Sequence, residues 1–292
     1  IADNIAIRKA NELQPEAEAI AASRLVDRVQ PKFNAEVDRQ FGPNGTANRD
    51  FQTKVITKLR ENDLYPDYKH YSTTEDELRI RTRLMDSTEL GGGAINPGLV
   101  SGDGLTVRIH DSLINNSLDN LGLQGRTMSE DDLRAELETH FSNLLGKPVT
   151  FAPPAKTDDS DKGPNVLVFD QTDPIRMHSS DGYLNLTVRA GFKQEGKDDI
   201  PEQIITVPLK FSVAGDKVIV ERGSVQVSPS GEVTSRAKQI STAGVIKGKF
   251  ENAFERRELD RNVDIKRDAN TKVRAKITQI VPADGWLTIL VD

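Results

Sequence analysis

Ser180-Asp181-Gly182-Tyr183-Leu184-Asn185-Leu186-Thr187-Val188 is echoed later by Ala283-Asp284-Gly285-Trp286-Leu287-Thr288-Ile289-Leu290-Val291. In both, an Asp-Gly pair, one aromatic residue and an apolar/polar alternation follow an earlier alternating run. This is the strongest short-range signal for a β-hairpin. Such phrases build sheets and carry no chemistry, and they predict that the second half of the chain is antiparallel.

Working outward, strand-like runs occupy Val149 to Phe151, Val166 to Phe169 and Ile175 to His178, then Tyr183 to Phe192, Ile204 to Val213 and Lys217 to Val227. Ala214-Gly215-Asp216 joins the last two, and Pro208 inside a strong strand predicts an edge or a bulge. Three further strands, Val263 to Lys266, Val273 to Val281 and Trp286 to Val291, close the chain. Helix, short strand, longer strand, Asp-Gly hairpin and final strand occur over residues 133–192 and again over 250–291, a loose internal repeat that duplication or recurrent sheet grammar explains equally well.

Three helices interrupt the sheet pattern. Asp111 can cap one that carries Leu113, Ile114, Leu118 and Leu121, entered directly from a strand at Leu105, Val107 and Ile109. Ser129 caps a second, with Asp131 and Asp132 in its first turn and Leu133, Leu137, Phe141, Leu144 and Leu145 as its stripe. The third starts at Ser235 and carries Ile240, Gly244 or Val245, Phe250 and Phe254. Leu133, Leu137, Phe141, Phe250 and Phe254 are therefore expected to be buried against the sheet.

The chain before about Tyr65 has a different texture. Ala17, Ile20, Ala21, Leu25, Val29, Phe33, Val37 and Phe41 recur at three and four, and Phe51, Val55, Ile56 and Leu59 repeat the pattern after Gly42-Pro43-Asn44-Gly45. Residues 1–65 read as a helical arm or hairpin and residues 66–292 as an antiparallel α+β domain. At the junction, Leu78, Ile80, Thr82 and Leu84 alternate with Arg79, Arg81 and Arg83, so one face is greasy and the other basic.

Composition narrows the function classes. In 292 residues there is no cysteine, which excludes disulfides, thiol catalysis and cysteine-ligated zinc and favours an exported bacterial protein. No apolar run reaches the roughly 18 residues that span a bilayer. The net charge of −6 argues against nucleic acid as a partner. From Arg236 to Lys276, however, twelve Lys and Arg face six Asp and Glu, leaving about −12 on the rest of the chain. Within this segment Arg256, Arg257, Arg261, Lys266 and Arg267 form a candidate patch for an anionic membrane surface, an acidic glycan or an envelope protein. The rival reading is a solvated helix end whose arginines offset the helix dipole.

No catalytic constellation, cofactor site or metal site stands out. His70, His110, His140 and His178 form no ligand-spaced pair. His110-Asp111-Ser112 and His178-Ser179-Ser180-Asp181 hold the residue types of a hydrolytic triad, but without a Gly-x-Ser-x-Gly elbow. Thr157 to Gly163 looks like a calcium loop, yet Lys162 stands where an oxygen ligand is needed.

The order of elements, with the strand into Ser112-Leu113-Ile114-Asn115-Asn116 and the phrases at Asp181 to Leu186 and Asp284 to Ile289, resembles the tubular lipid-binding (TULIP) superfamily, especially its bacterial envelope members. The resemblance covers about residues 66 to 292. It implies a curved antiparallel meander packed on long amphipathic helices, with an apolar groove for an acyl chain and no catalytic residue. Two expectations follow: a non-enzymatic binding module for a lipid or other amphiphile in the periplasm or envelope, or a structural envelope protein with a dry core that contacts another macromolecule through its helical arm or residues 236–276.

Overall fold

Both Asp-Gly pairs turn the chain as the sequence requires. Asp181 and Gly182 have φ of 52° and 78°, Asp284 and Gly285 of 50° and 79°. Positive φ at both central residues is the type I′ turn, whose twist matches that of the flanking strands. Ser180 accordingly pairs with Tyr183, and Ala283 with Trp286.

The computed structural model describes residues 57–61, 66–75, 77–84, 91–92, 104–145, 148–151, 166–193, 196, 198–232, 235–266 and 272–292, with isolated helical positions between 24 and 39. The chain divides into two units, Ile1–Thr57 and Lys58–Asp292. The expected N-terminal stripes lie almost wholly outside the described residues. The second unit runs β1 (Pro66–Thr73), β2 (Leu78–Leu84), β3 (Leu105–His110), α1 (Asp111–Asp119), β4 (Thr127–Ser129), α2 (Glu130–Leu145), β5 (Val166–Phe169), β6 (Ile175–Ser180), β7 (Tyr183–Lys193), β8 (Ile200–Ala214), β9 (Lys217–Arg222), β10 (Gln226–Pro229), α3 (Arg236–Ala253), β11 (Arg257–Asp260), β12 (Asn262–Lys266), β13 (Lys272–Ala283) and β14 (Trp286–Val291). A short helical turn, Thr57–Glu61, precedes β1.

The architecture is α+β, dominated by antiparallel sheet, and the main sheet curls into a half barrel. That sheet has eight strands in the order β11-β9-β8-β7-β5-β4, with β10 also on β8 and β6 also on β7. A four-stranded sheet runs β12-β13-β14-β3, and β1 and β2 form a separate two-stranded ribbon. The long strands β7 and β8 organise the rest, because each serves different partners along its length. Pro208 shows how this works. It lies in a central strand, not at an edge, but at the gap where the outer partner of β8 changes from β10 (Gln203 to Thr206) to β9 (Leu209 to Ala214). Its carbonyl accepts from Gly223 N–H at 2.7 Å, so the N–H that proline lacks is not needed by a ladder there.

The core follows the period of two. Leu184, Leu186, Val188, Ala190 and Phe192 of β7 are buried while Tyr183, Asn185, Thr187 and Arg189 between them are half-buried. Gln203, Ile205 and Val207 of β8 and Leu167 and Phe169 of β5 continue that buried face. Leu118 and Leu123, from α1 and the loop after it, and Ile246 from α3 complete one cluster. Leu133, Phe250 and Phe254 pack against it and are partly buried. Leu137 and Phe141 are also half-buried, with the Phe141 ring edge-on to Phe151 and His140.

Local signals fix the helix starts. Ser129 Oγ accepts from Asp132 N–H at 3.1 Å, and Ser235 Oγ from Lys238 N–H at 3.4 Å. Glu130 at the start of α2 holds Lys249 of α3 at 2.5 Å. The apolar residues of α3 are spread around it: Ile246 is fully buried while Ile240 and Val245 are exposed. Val149 to Phe151 is not a strand. It hangs from α2 through Val149 N–H to Ser142 Oγ and Phe151 N–H to Glu138 Oε1.

Two outcomes are expected from this packing. Ile205→Ala, at a site with no exposure, lowers stability by about 2 to 5 kcal/mol in urea unfolding through lost burial and the cavity left behind. His140 joins α2 to Ser117 of α1 at 2.9 Å, and partial burial lowers its pKa below the ordinary 6.5. The unfolded chain thus binds the proton more readily, and stability falls as pH drops below about 6.5. Thermal melts between about pH 8 and pH 5 should show this decline, and His140→Gln should flatten it.

Candidate functional site

Asp111 is the centre of the best-defined polar cluster among the described residues. It begins α1 directly after β3, so its side chain is aimed by two regular elements at once. The residue is 5% exposed, yet its carboxylate accepts three hydrogen bonds from β6: Ser179 Oγ at 2.6 Å, Ser179 N–H at 2.7 Å and His178 Nδ1 at 3.0 Å. A buried carboxylate survives only with such partners, and the helix N-terminus adds favourable partial charge. Capping itself falls to His110, whose Nδ1 accepts from Ser112 N–H and also lies 3.0 Å from Ser112 Oγ. The expected role of Asp111 as N-cap thus moves one residue back and frees Asp111 for a long-range contact.

The two Asp-Gly turns meet at this point. Gly285 N–H donates to Ser179 O at 2.8 Å, Asp111 N–H to Gly285 O at 2.9 Å, and Gly182 N–H to Pro282 O at 3.1 Å. The His110 ring packs edge-on against Trp286 at 4.8 Å. Asn115 extends the joint, exchanging both amide hydrogen bonds with Met177 backbone. The His, Asp and Ser types noticed in the sequence therefore converge across 67 and 68 residues. Their order is particular: Ser179 Oγ and His178 Nδ1 both reach the carboxylate, so the imidazole does not stand between serine and aspartate. His178 is two-thirds exposed and Ser179 is fully buried.

The basic segment is arranged differently. Arg256 lies just before β11 and bridges Glu221 at 3.3 Å and Glu258 at 2.9 Å. Arg257 is half-buried and pairs with Val220 in the ladder. Arg261 stands at the other end of β11, roughly 13 Å along a four-residue strand. There its Nη1 donates to Gly215 O at 2.8 Å, its N–H bonds Asp216 O and its carbonyl accepts from Ile277 N–H, linking the β8–β9 turn to β13. Lys266 ends β12, and Arg267 lies outside the described residues. Arg256 and Arg257 are neighbours, while Arg261 is turned to a structural link.

A third feature is an open depression of about 290 Å³ over β5, β7 and the start of β8. Phe169, Phe192 and Ile200 contribute apolar wall, and polar groups come from Asp170, Gln171, Lys193, Asp199 and Glu202. Gly191 sits where β7 and β8 shift register, and a Cβ there would lie 3.0 Å from Ile200 O. Thr172 N–H and a hydrogen bond with Glu202 hold the Asp170 carboxyl below the ordinary carboxylate range.

No helix among the described residues is long and apolar enough to cross a membrane. No known protein-family description matches the chain, and no curated protein matches it in sequence.

Two sets of variants separate joints from surface. Asp111→Ala leaves three donors of β6 without their acceptor and should lower stability by about 3 kcal/mol or more. Arg261→Gln loses a charge-assisted bond to Gly215 and should cost about 1 to 3 kcal/mol, whereas Arg256→Gln, on an exposed pair, should cost less than about 1 kcal/mol. Urea titrations of the three variants check this ranking.

Proposed function

We propose that this chain is a non-enzymatic module of a bacterial envelope that acts by surface contact with another macromolecule, around a core filled by its own side chains. The observation that carries this reading is the packing between the curled sheet and its helices. Phe192, Leu123, Ile205, Ile246 and Val207 lie there with at most 1% exposure. An acyl chain held by this sheet would need the space that these residues occupy. The arrangement around Asp111 supports the non-enzymatic part. Ser179 is buried and donates to the carboxylate itself, so it lacks the histidine partner that activates a nucleophile.

The second reading is a carrier of lipid or another amphiphile, as the likeness to the tubular lipid-binding superfamily implies. The half-barrel curl of the main sheet favours it. It requires long amphipathic helices that lift away from the sheet to open a groove. An exported, periplasmic or envelope location belongs to both readings and is supported by the absence of cysteine from the chain.

Native mass spectrometry of protein purified under mild conditions, with parallel organic extraction, separates them. The surface-contact reading expects the bare polypeptide mass and no acyl lipid in the extract. A stoichiometric lipid adduct that survives purification would overturn it in favour of the carrier.

A further inference from the structure

The Asp-Gly pairs at the joint can do more than turn the chain. With no Cβ on the glycine, its backbone nitrogen has open access to the aspartyl γ-carbonyl. Attack there forms a C–N bond, and the hydroxyl of the protonated carboxyl leaves with the amide proton as water. The product is a five-membered succinimide. Water then adds to the ring. At the γ-carbonyl it restores aspartate; at the α-carbonyl it breaks the original peptide bond and leaves isoaspartate, with the chain running through the side-chain carbon. One water leaves and one enters, so the conversion needs no oxidant, reductant or cofactor.

Both nucleophiles are held at the joint. Gly182 N–H donates to Pro282 O at 3.1 Å and Gly285 N–H to Ser179 O at 2.8 Å, so each turn's amide is tied by the other hairpin. Attack requires that nitrogen to give up its proton, and the hydrogen bond must break first. Around Gly285 there is also a wall: a Cβ there would lie 3.6 Å from His110 Nε2 and 4.0 Å from Asp111 Oδ2. Gly182 is exposed, with nothing within 4 Å of its Cβ position, so its bond to Pro282 is the main guard. Asp181 and Asp284 are exposed, and water reaches both.

We propose that Asp181 and Asp284 are latent modification sites, guarded by the interlocked turns, which convert to isoaspartate when the joint opens and then hold it open. The second half follows from the turn. Type I′ geometry joins the strands through two residues of positive φ. Isoaspartate adds a methylene to the backbone between them. The pairs Ser180 with Tyr183 and Ala283 with Trp286 then lose their register, and the glycine amide moves away from its acceptor. The joint is thus a one-way latch, whatever macromolecule the surface contacts.

The test is ageing of the full chain at neutral pH in water enriched in heavy oxygen, then tryptic mapping in ordinary water. The two sites fall in separate peptides, residues 177–189 and 277–292. Heavy oxygen marks passage through the succinimide, and electron-transfer fragmentation places the isoaspartate. Both sites should convert in the guanidinium-unfolded chain, and at least about tenfold more slowly in the native one. Asp111→Ala and Asn115→Ala, which loosen the joint from α1, should speed both sites, with thermal melts showing which variant keeps its core. Chain aged unfolded and then refolded should lose exchange protection at the Ser179 amide while Ile205 and Val207 stay protected. Equal conversion in native and unfolded chains, no conversion in the unfolded chain, parental rates in a folded Asp111→Ala or Asn115→Ala chain, or full protection of Ser179 after conversion would each overturn the proposal.

Discussion

The buried carboxylate of Asp111 is the constraint on which the rest of the second unit depends. An ionised carboxylate out of water is costly, and it becomes tolerable only where several donors converge on it. Those donors come from β6, while Asp111 itself begins α1 and follows β3. Because β3 pairs with β14, this one group ties the four-stranded sheet to the eight-stranded one. The backbone bonds among Asp111, Ser179, Gly182, Pro282 and Gly285 then lock two type I′ turns against each other. Arg261 makes a second link between the sheets at the β8–β9 turn.

Much of this was legible where the signal is local. Asp181-Gly182 and Asp284-Gly285 gave the hairpins because positive φ at both turn positions is a property of those residues. Ser129 and Ser235 marked helix starts because a capping oxygen acts within three residues. The alternation in β7 named its buried side before any partner was known. What escaped were the pairings. Nothing near Leu105 announces that β3 ends up beside β14, and nothing near Val166 that β5 and β6 share β7. For Pro208 the sequence left an edge or a bulge open; it is not at an edge, and its tolerance depends on a gap between two other strands. Asp111 was read as a cap because its partner, Ser179, lies 68 residues away. β11 carries the basic residues from Arg257 onward in extended form, with Arg261 just beyond its end at the β8–β9 turn.

These constraints divide the molecule by chemistry. Between main sheet and helices the space is taken by aliphatic and aromatic side chains. With 36% hydrophobic and 29% charged residues, the chain presents a large wetted surface around that core. The proposed role therefore rests on what the outside offers. There the ribbon of β1 and β2 exposes both faces along nearly its whole length, with Arg79, Arg81 and Arg83 on one and Tyr71, Leu78 and Ile80 on the other. A partner that covers either face would supply the burial that the hairpin lacks by itself.

Native-state hydrogen exchange tests the central claim most directly, since it reads the joint amide by amide. If the Asp111 carboxylate and the interlocked turns unite the two sheets, the amides of Ser179, Gly182 and Gly285 should exchange only through global unfolding, with the same opening free energy as Ile205 and Val207 in the core. If those three amides open several kcal/mol below the core while β7 and β8 stay protected, the sheets part independently and Asp111 does not hold the fold together.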